Sequence, residues 1–255
     1  MERPIDEWVN KIHCGDALDL LPLLPEGSVD LVLTDPPYGI EEPAVVRRDG
    51  GKFGVAKPIG LGLVENLQVA KGVSFRDWIP LAVRCLKRTG VLITMCRKED
   101  ISRICDFLEE LGMTVRHVGA WVKRNPPPQA RKVQWMSGWE PFIIATMGSG
   151  HHYNYREGQH PDVIMTPICQ GRERLGHPAQ KPEALAEPLV RWWSFPGDVV
   201  LDPFCGTGTF LAVAHRLGRR WIGIEKDERY AEMARRRLEA LLPQSRLPDF
   251  GENLK

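Results

Sequence analysis

Val199-Val200-Leu201-Asp202-Pro203-Phe204-Cys205-Gly206-Thr207-Gly208-Thr209 is the stretch on which the fold turns. Its apolar start reads as a short buried strand, and its glycines as a turn. Helical spacing then runs from 208 to 217. A second strand, Trp221-Ile222-Gly223-Ile224, ends on Glu225, and another helix is expected over 227–241. The two glycines let a ligand approach the backbone, and the helix start presents free N–H groups. A carboxylate about twenty residues further on, at the end of the next strand, can accept hydrogen bonds from ribose hydroxyls. The dinucleotide fingerprint needs a third glycine where this chain has Leu211. The unit therefore suits a nucleoside ligand without a pyrophosphate.

Working outward, helical spacing at 182–194 leads into this unit. Upstream, Asp16 opens a short helix to Leu24 as an N-cap, and Val29–Thr34 reads as a buried strand. A helix follows at 78–86, and Gly90 turns the chain into a strand at 91–95. Residues 100–111 suit a helix, and 114–122 and 141–146 suit strands. This alternation predicts an α/β, doubly wound, mostly parallel sheet with helices on both faces. Residues 39–75 are rich in glycine, proline and charge and read as a functional or mobile loop. Residues 148–176 read as a small irregular insert. The expected organisation is a first half over 1–147, the insert at 148–176, a second half over 177–242 and a tail at 243–255.

The strand at 29–34 delivers Asp35-Pro36-Pro37-Tyr38 to its carboxyl end, where open α/β sheets bind their substrates. The prolines fix φ and remove two N–H groups. A carboxylate, a carbonyl and an aromatic ring are left, suited to a flat ligand with N–H donors and a π face. A nucleobase with an exocyclic amine has that chemistry; an ordinary strand exit has the same letters.

Composition excludes little but narrows the setting. A chain of 255 residues, 43% hydrophobic and 26% charged, can bury an ample core. No apolar run reaches bilayer length, and the polar, acidic start does not read as a secretory signal. Six scattered cysteines without a Cys-x-x-Cys pair point to reduced thiols in a cytoplasm. The net charge is only +1, but its distribution is uneven: residues 1–45 hold ten acids and two bases. Lys123, Arg124, Arg131 and Lys132 lie between Trp121 and Trp135 with no acid among them, as in a basic groove or a solvated loop.

Together these motifs resemble those of the S-adenosylmethionine-dependent DNA amino-methyltransferases, which modify adenine N6 or cytosine N4. Asp35-Pro36-Pro37-Tyr38 matches the family's catalytic tetrad, and Asp202–Gly208 its cofactor loop. His177-Pro178-Ala179-Gln180-Lys181-Pro182 matches its His-Pro-x-Gln-Lys-Pro segment. The catalytic motif precedes the cofactor motif, the order of the permuted beta group. The resemblance implies a methyltransferase-type sheet carrying S-adenosylmethionine, with S-adenosylhomocysteine as product. It implies double-stranded DNA as partner and no membrane; a homodimer and a cognate restriction endonuclease stay open.

It also implies residue roles. Asp35 and the Pro36 carbonyl accept the amine, Pro37 and Tyr38 complete the tetrad, and Tyr38 stacks on a flipped-out base. Asp16, Asp35, Asp202, Pro203, Phe204, Cys205, Gly206, Thr207, Gly208, Thr209, Glu225, Lys226 and Lys181 surround the cofactor. Cys205 reads as a small apolar filler and His177 as structural or as a support of the pocket. The segment 148–176 corresponds to the target-recognition region, with His151, His152, Arg156, Arg172 and Arg174 reaching DNA beside the basic residues at 123–132. No metal is expected. Aspartate at position 35 favours adenine N6; cytosine N4, an inactive DNA-binding relative, and an RNA or protein methyltransferase are the alternatives.

Overall fold

The computed structural model describes residues 3–38, 72–128, 135–148, 150–155, 158–177 and 179–241, without the side chain of Arg172. The expected loop at 39–75 up to residue 71, and the tail at 243–255, lie outside the described residues. So do Arg131, Lys132 and Arg156.

Among the described residues eight strands form one sheet: β1 (Lys11–Cys14), β2 (Val29–Thr34), β3 (Leu86–Met95), β4 (Thr114–Lys123), β5 (Trp139–Thr146), β6 (Val163–Thr166), β7 (Val199–Asp202) and β8 (Arg220–Glu225). Their order is β1-β8-β7-β2-β3-β5-β4-β6. All neighbours are parallel except those of β5, which runs against β3 and β4. Among the described residues the α-helices are α1 (Ala17–Leu20), α2 (Phe75–Cys85), α3 (Ile101–Glu110), α4 (Glu183–Trp193), α5 (Thr209–Arg216) and α6 (Glu228–Glu239).

The two helical layers follow from side-chain alternation along the strands. Val32 and Leu92 face a core with Trp78 and Ile79 of α2 and Leu108 of α3. Leu31, Leu33 and Ile93 face the other core, built with Leu189 of α4, Leu211 of α5 and Ala234 of α6. The expected doubly wound sheet is thus present, with three differences. The helix from Asp16 is short: α1 gives way to a 3-10 turn at Leu21–Leu23, where Pro22 stands. Gly90 lies inside β3 rather than before it, because the strand begins at Leu86 with an irregular register opposite Val29–Leu31. The segment 148–176 is not wholly irregular, since β6 pairs with β4 and extends the sheet. Its four residues alternate exposed and buried but are too few to show a period.

The sheet order reverses between β7 and β2. Asp30, 2% exposed on β2, seals one end of that join. Its Oδ2 accepts the Val199 N–H at 2.9 Å, and Lys87 Nζ donates to both its oxygens at 2.8 Å. Asp30, His152 and Asp198 place ligand atoms within 4.8 Å of one another, but the Lys87 ammonium already supplies the cation there. Lys87→Met leaves a buried carboxylate unpaired and should cost about 2 kcal/mol, read from urea unfolding. Lys87→Met with Asp30→Asn should be less destabilised than Lys87→Met alone, because a neutral amide needs no cation.

Candidate active site

Parallel strands put their carboxyl ends on one edge, so the tails of β1, β8, β7 and β2 meet there, as does the start of the antiparallel β5. The two motifs recognised in the sequence become neighbours through the β2–β7 pairing. Thr34 Oγ1 donates to Asp202 Oδ1 at 2.7 Å, joining positions 168 apart in the chain. Phe204 N–H donates to the same oxygen at 3.1 Å. Burial of Asp202 outweighs these bonds and pushes its pKa up to about 7.

Asp35 leaves β2 with both oxygens engaged. Tyr38 Oη donates to Oδ1 at 2.5 Å, and Lys181 Nζ binds Oδ2. Lys181 is 8% exposed. Burial favours its neutral form, but the carboxylates of Asp35 and Glu140 outweigh burial and raise its pKa. Glu140 lies at the start of β5, and its Oε2 is 3.4 Å from Lys181 Nζ. Its Oε1 binds Lys123 Nζ at 2.5 Å. Burial alone would raise the Glu140 pKa; Lys181 and Lys123 reverse that and lower it. Tyr38 is pushed well above the usual phenol range by burial and by Asp35. The Pro37 carbonyl accepts the Val73 N–H at 3.1 Å, whereas among the described residues no backbone donor reaches the Pro36 carbonyl.

Beside this cluster the chain after β7 turns through Gly206 and Gly208, at φ 51° and 74°, conformations that favour glycine. A Cβ at Gly206 would have nothing nearer than His177 Nε2 at 3.8 Å, which leaves room for a ligand against the backbone. Glu225 fixes this turn: its Oε2 accepts Gly206 N–H and its Oε1 accepts Asp227 N–H, both at 2.8 Å. Asp16 caps α1 through Leu18 N–H at 3.0 Å and pairs with the exposed Lys226 at 2.6 Å. Phe204, half-buried, meets Trp78 edge-on at 5.5 Å. An open glycine turn ringed by Asp16, Asp202 and Glu225 fits a ligand with hydroxyls, an amino group and a positive charge, the chemistry of a sulfonium nucleoside.

Not every expected residue faces that space. Pro203 and Thr207 are buried, and Cys205 is buried in the core beneath the turn, with Sγ 3.0 Å from where a Gly223 Cβ would stand. The Thr209 hydroxyl accepts from Arg237 at 2.9 Å, so it ties α5 to α6.

The expected DNA contacts divide. Arg124 and Arg174 are exposed on the active edge, after β4 and β6. Lys123 does not belong with them: its side chain is 9% exposed and committed to Glu140. Trp121 is a core residue bonded to Thr166, while Trp135 is 97% exposed. His151 and His152 are placed away from the site. His152 binds Asp198 at 3.0 Å, and its N–H reaches Thr89 O, both at the amino edge of the sheet. His151 stacks on Trp193 of α4. Adjacent aromatic and polar residues here serve packing rather than base reading. Glu140 escaped the sequence reading; its one signal is an isolated acid at the entrance to the apolar strand Phe142–Thr146.

The shift of Asp202 has a thermodynamic sign. A carboxyl raised from 3.8 to about 7 binds more protons folded than unfolded, so stability falls as pH rises between those values and is level above. Asp202→Asn keeps an acceptor for Thr34 and Phe204 but cannot ionise. Its melting temperature relative to the parent should climb from pH 4 to pH 7 and then plateau; a constant difference would rule out this burial cost.

Comparison with known proteins agrees with this geometry. A family model described as DNA methylase matches residues 29–236. The type II methyltransferase M.HinfI of Haemophilus influenzae is 31% identical over 261 residues, covering 95% of this chain and 72% of its own length. The type II methyltransferase M2.DpnII of Streptococcus pneumoniae is 31% identical over 238 residues, covering 89% and 88%. The crystal structure of the M1.HpyAVI–SAM complex aligns with a TM-score of 0.68 at 26% identity, over 89% of this chain and 98% of that one. The cytosine-N4-specific PvuII DNA methyltransferase aligns with a TM-score of 0.67 at 18% identity, over 89% and 85%, a likeness of fold alone. The family match takes in both loops and the strands that bring them together, and this chain belongs to the N6/N4 DNA methylase family of amino-methyltransferases.

Proposed function

We propose that this DNA methyltransferase acts on adenine N6 of a base turned out of double-stranded DNA. S-adenosylmethionine is the methyl donor, and when bound it supplies a methyl group on a sulfonium that is already an excellent leaving group. The residues of the chain therefore contribute position and electrostatics. Asp16, Asp202, Phe204, Glu225 and the backbone of Gly206 and Gly208 are the groups that would hold it.

One observation carries the reading. The Asp35 carboxylate and the Pro36 carbonyl, which no backbone donor reaches among the described residues, stand together at the end of β2, on the strand next to the glycine turn. An exocyclic amine is a poor nucleophile because its lone pair is delocalised into the ring. Two acceptors taking its two N–H groups favour a pyramidal nitrogen and free that lone pair. Tyr38 supplies the aromatic face, worth about 1–3 kcal/mol per stacked base. Aspartate at the head of the tetrad favours adenine over cytosine. The same reading expects a cytoplasmic protein, and a cognate restriction endonuclease stays open as a partner.

Asp35→Ala should abolish transfer of radiolabelled methyl to DNA while cofactor affinity changes little; loss of both together would sink the division between amine clamp and cofactor turn. Sequencing that distinguishes N6-methyladenine from N4-methylcytosine, on DNA from expressing cells, decides the base, and methylcytosine alone would overturn the adenine assignment. Arg124→Ala with Arg174→Ala should weaken binding to all DNA sequences and lower the slope of log K against log salt by about 2. An unchanged slope would remove both from the interface.

A further inference from the structure

Four side chains of alternating charge run inward from the end of β4 to the tetrad: Lys123, Glu140, Lys181 and Asp35. The resting arrangement is uneven. Lys181 is hydrogen-bonded to Asp35 Oδ2. Among the described residues Glu140 Oε2, also buried, has no hydrogen bond of good geometry, although Lys181 Nζ lies within ion-pair reach at 3.4 Å. A buried carboxylate oxygen without a donor is costly. Closing that gap to a charge-assisted hydrogen bond of about 2.8 Å needs a movement of only about 0.6 Å. Lysine is suited to this, with three donors on a flexible stem.

The amine clamp makes a demand that this unevenness answers. In the resting state Tyr38 occupies one oxygen of Asp35 and Lys181 the other. An incoming N–H needs an Asp35 lone pair facing the base. Each carboxylate oxygen can accept a second donor, so the ammonium need only shift to make room for the base, and it stays in the site because an uncompensated buried charge is far more costly. We propose that Glu140 is a positioning residue which shares Lys181 with Asp35, receiving the ammonium as the amine takes the Asp35 oxygen. Lys123 is its counterweight: bound to Oε1, it keeps the second carboxylate ionised and fixed while Oε2 stays open. Glu140 and Lys123 touch neither substrate nor cofactor in this scheme and act through Lys181. The inference rests on Asp35 being the amine acceptor.

The test uses the full-length chain with S-adenosylmethionine and DNA. Glu140→Gln should lower kcat on the order of 10- to 100-fold, with the dissociation constant for the cofactor within about threefold of the parent. Glu140→Gln with Lys123→Met removes both charges of the outer pair and provides a folded reference. A purely structural role predicts that kcat returns in the double variant. The shared-lysine role predicts that kcat stays low in it while cofactor binding persists. Unchanged kcat in Glu140→Gln, restored kcat in the double variant, or lost cofactor binding in the double variant would each overturn the proposal. An Asp35→Ala variant, which has no side-chain acceptor, that keeps full activity would instead overturn the amine clamp itself, so the two failures are distinguishable.

Discussion

The pairing of β2 with β7 is the constraint on which the remainder depends. Its ladder is short, with Leu31 opposite Val200 and Val32 opposite Leu201. Side chains close it at both ends: Asp30 takes the Val199 N–H below, and Thr34 binds Asp202 above. Strands on either side of this seam lead away in opposite directions, so the loops leaving β2 and β7 part and open a crevice between them. One loop carries Asp35-Pro36-Pro37-Tyr38, the other the glycine turn. Without the seam the two would be unrelated surface loops.

The crevice handles its acids in two ways. Asp35 is matched by a buried ammonium and a phenol, whereas among the described residues Asp202 has a hydroxyl and a backbone N–H, and burial pushes its pKa up to about 7. A carboxylate buried without a cation is a poor contributor to stability. It is a good receptor for a ligand that brings its own positive charge. The paired acid heads the loop that leaves β2, and the unpaired one stands by the glycine turn.

Much of this was legible in the sequence because it is local. The strand Val29–Thr34 was read with its observed bounds, and the helix expected at 182–194 is Glu183–Trp193. The glycine turn, the Asp16 cap and the two-layered sheet were equally readable from spacing. The hidden parts are pairings between distant segments. Lys123 looked like a groove residue because nothing nearby in sequence announces Glu140 as its partner. His151 and His152 looked like base readers because their letters suit that task, but α4 and the amino edge of the sheet claim them. The strand β6 is too short to show a period, and its place is set by the register of β4. Motifs name the chemistry, while charge partners and the direction a loop faces are decided in three dimensions.

The first strand and the last helix of the described fold touch. Arg235 of α6 reaches the Ile12 carbonyl of β1 at 3.4 Å, and β1 pairs with β8, on the far side of the sheet from β3 and β5. In space the backbone is therefore close to a ring, and the order of its motifs records only where that ring is opened. Cutting it elsewhere and joining β1 to α6 would leave the seam, the crevice and the buried charges as neighbours. The catalytic arrangement is a property of adjacency in the sheet, indifferent to which motif the ribosome makes first.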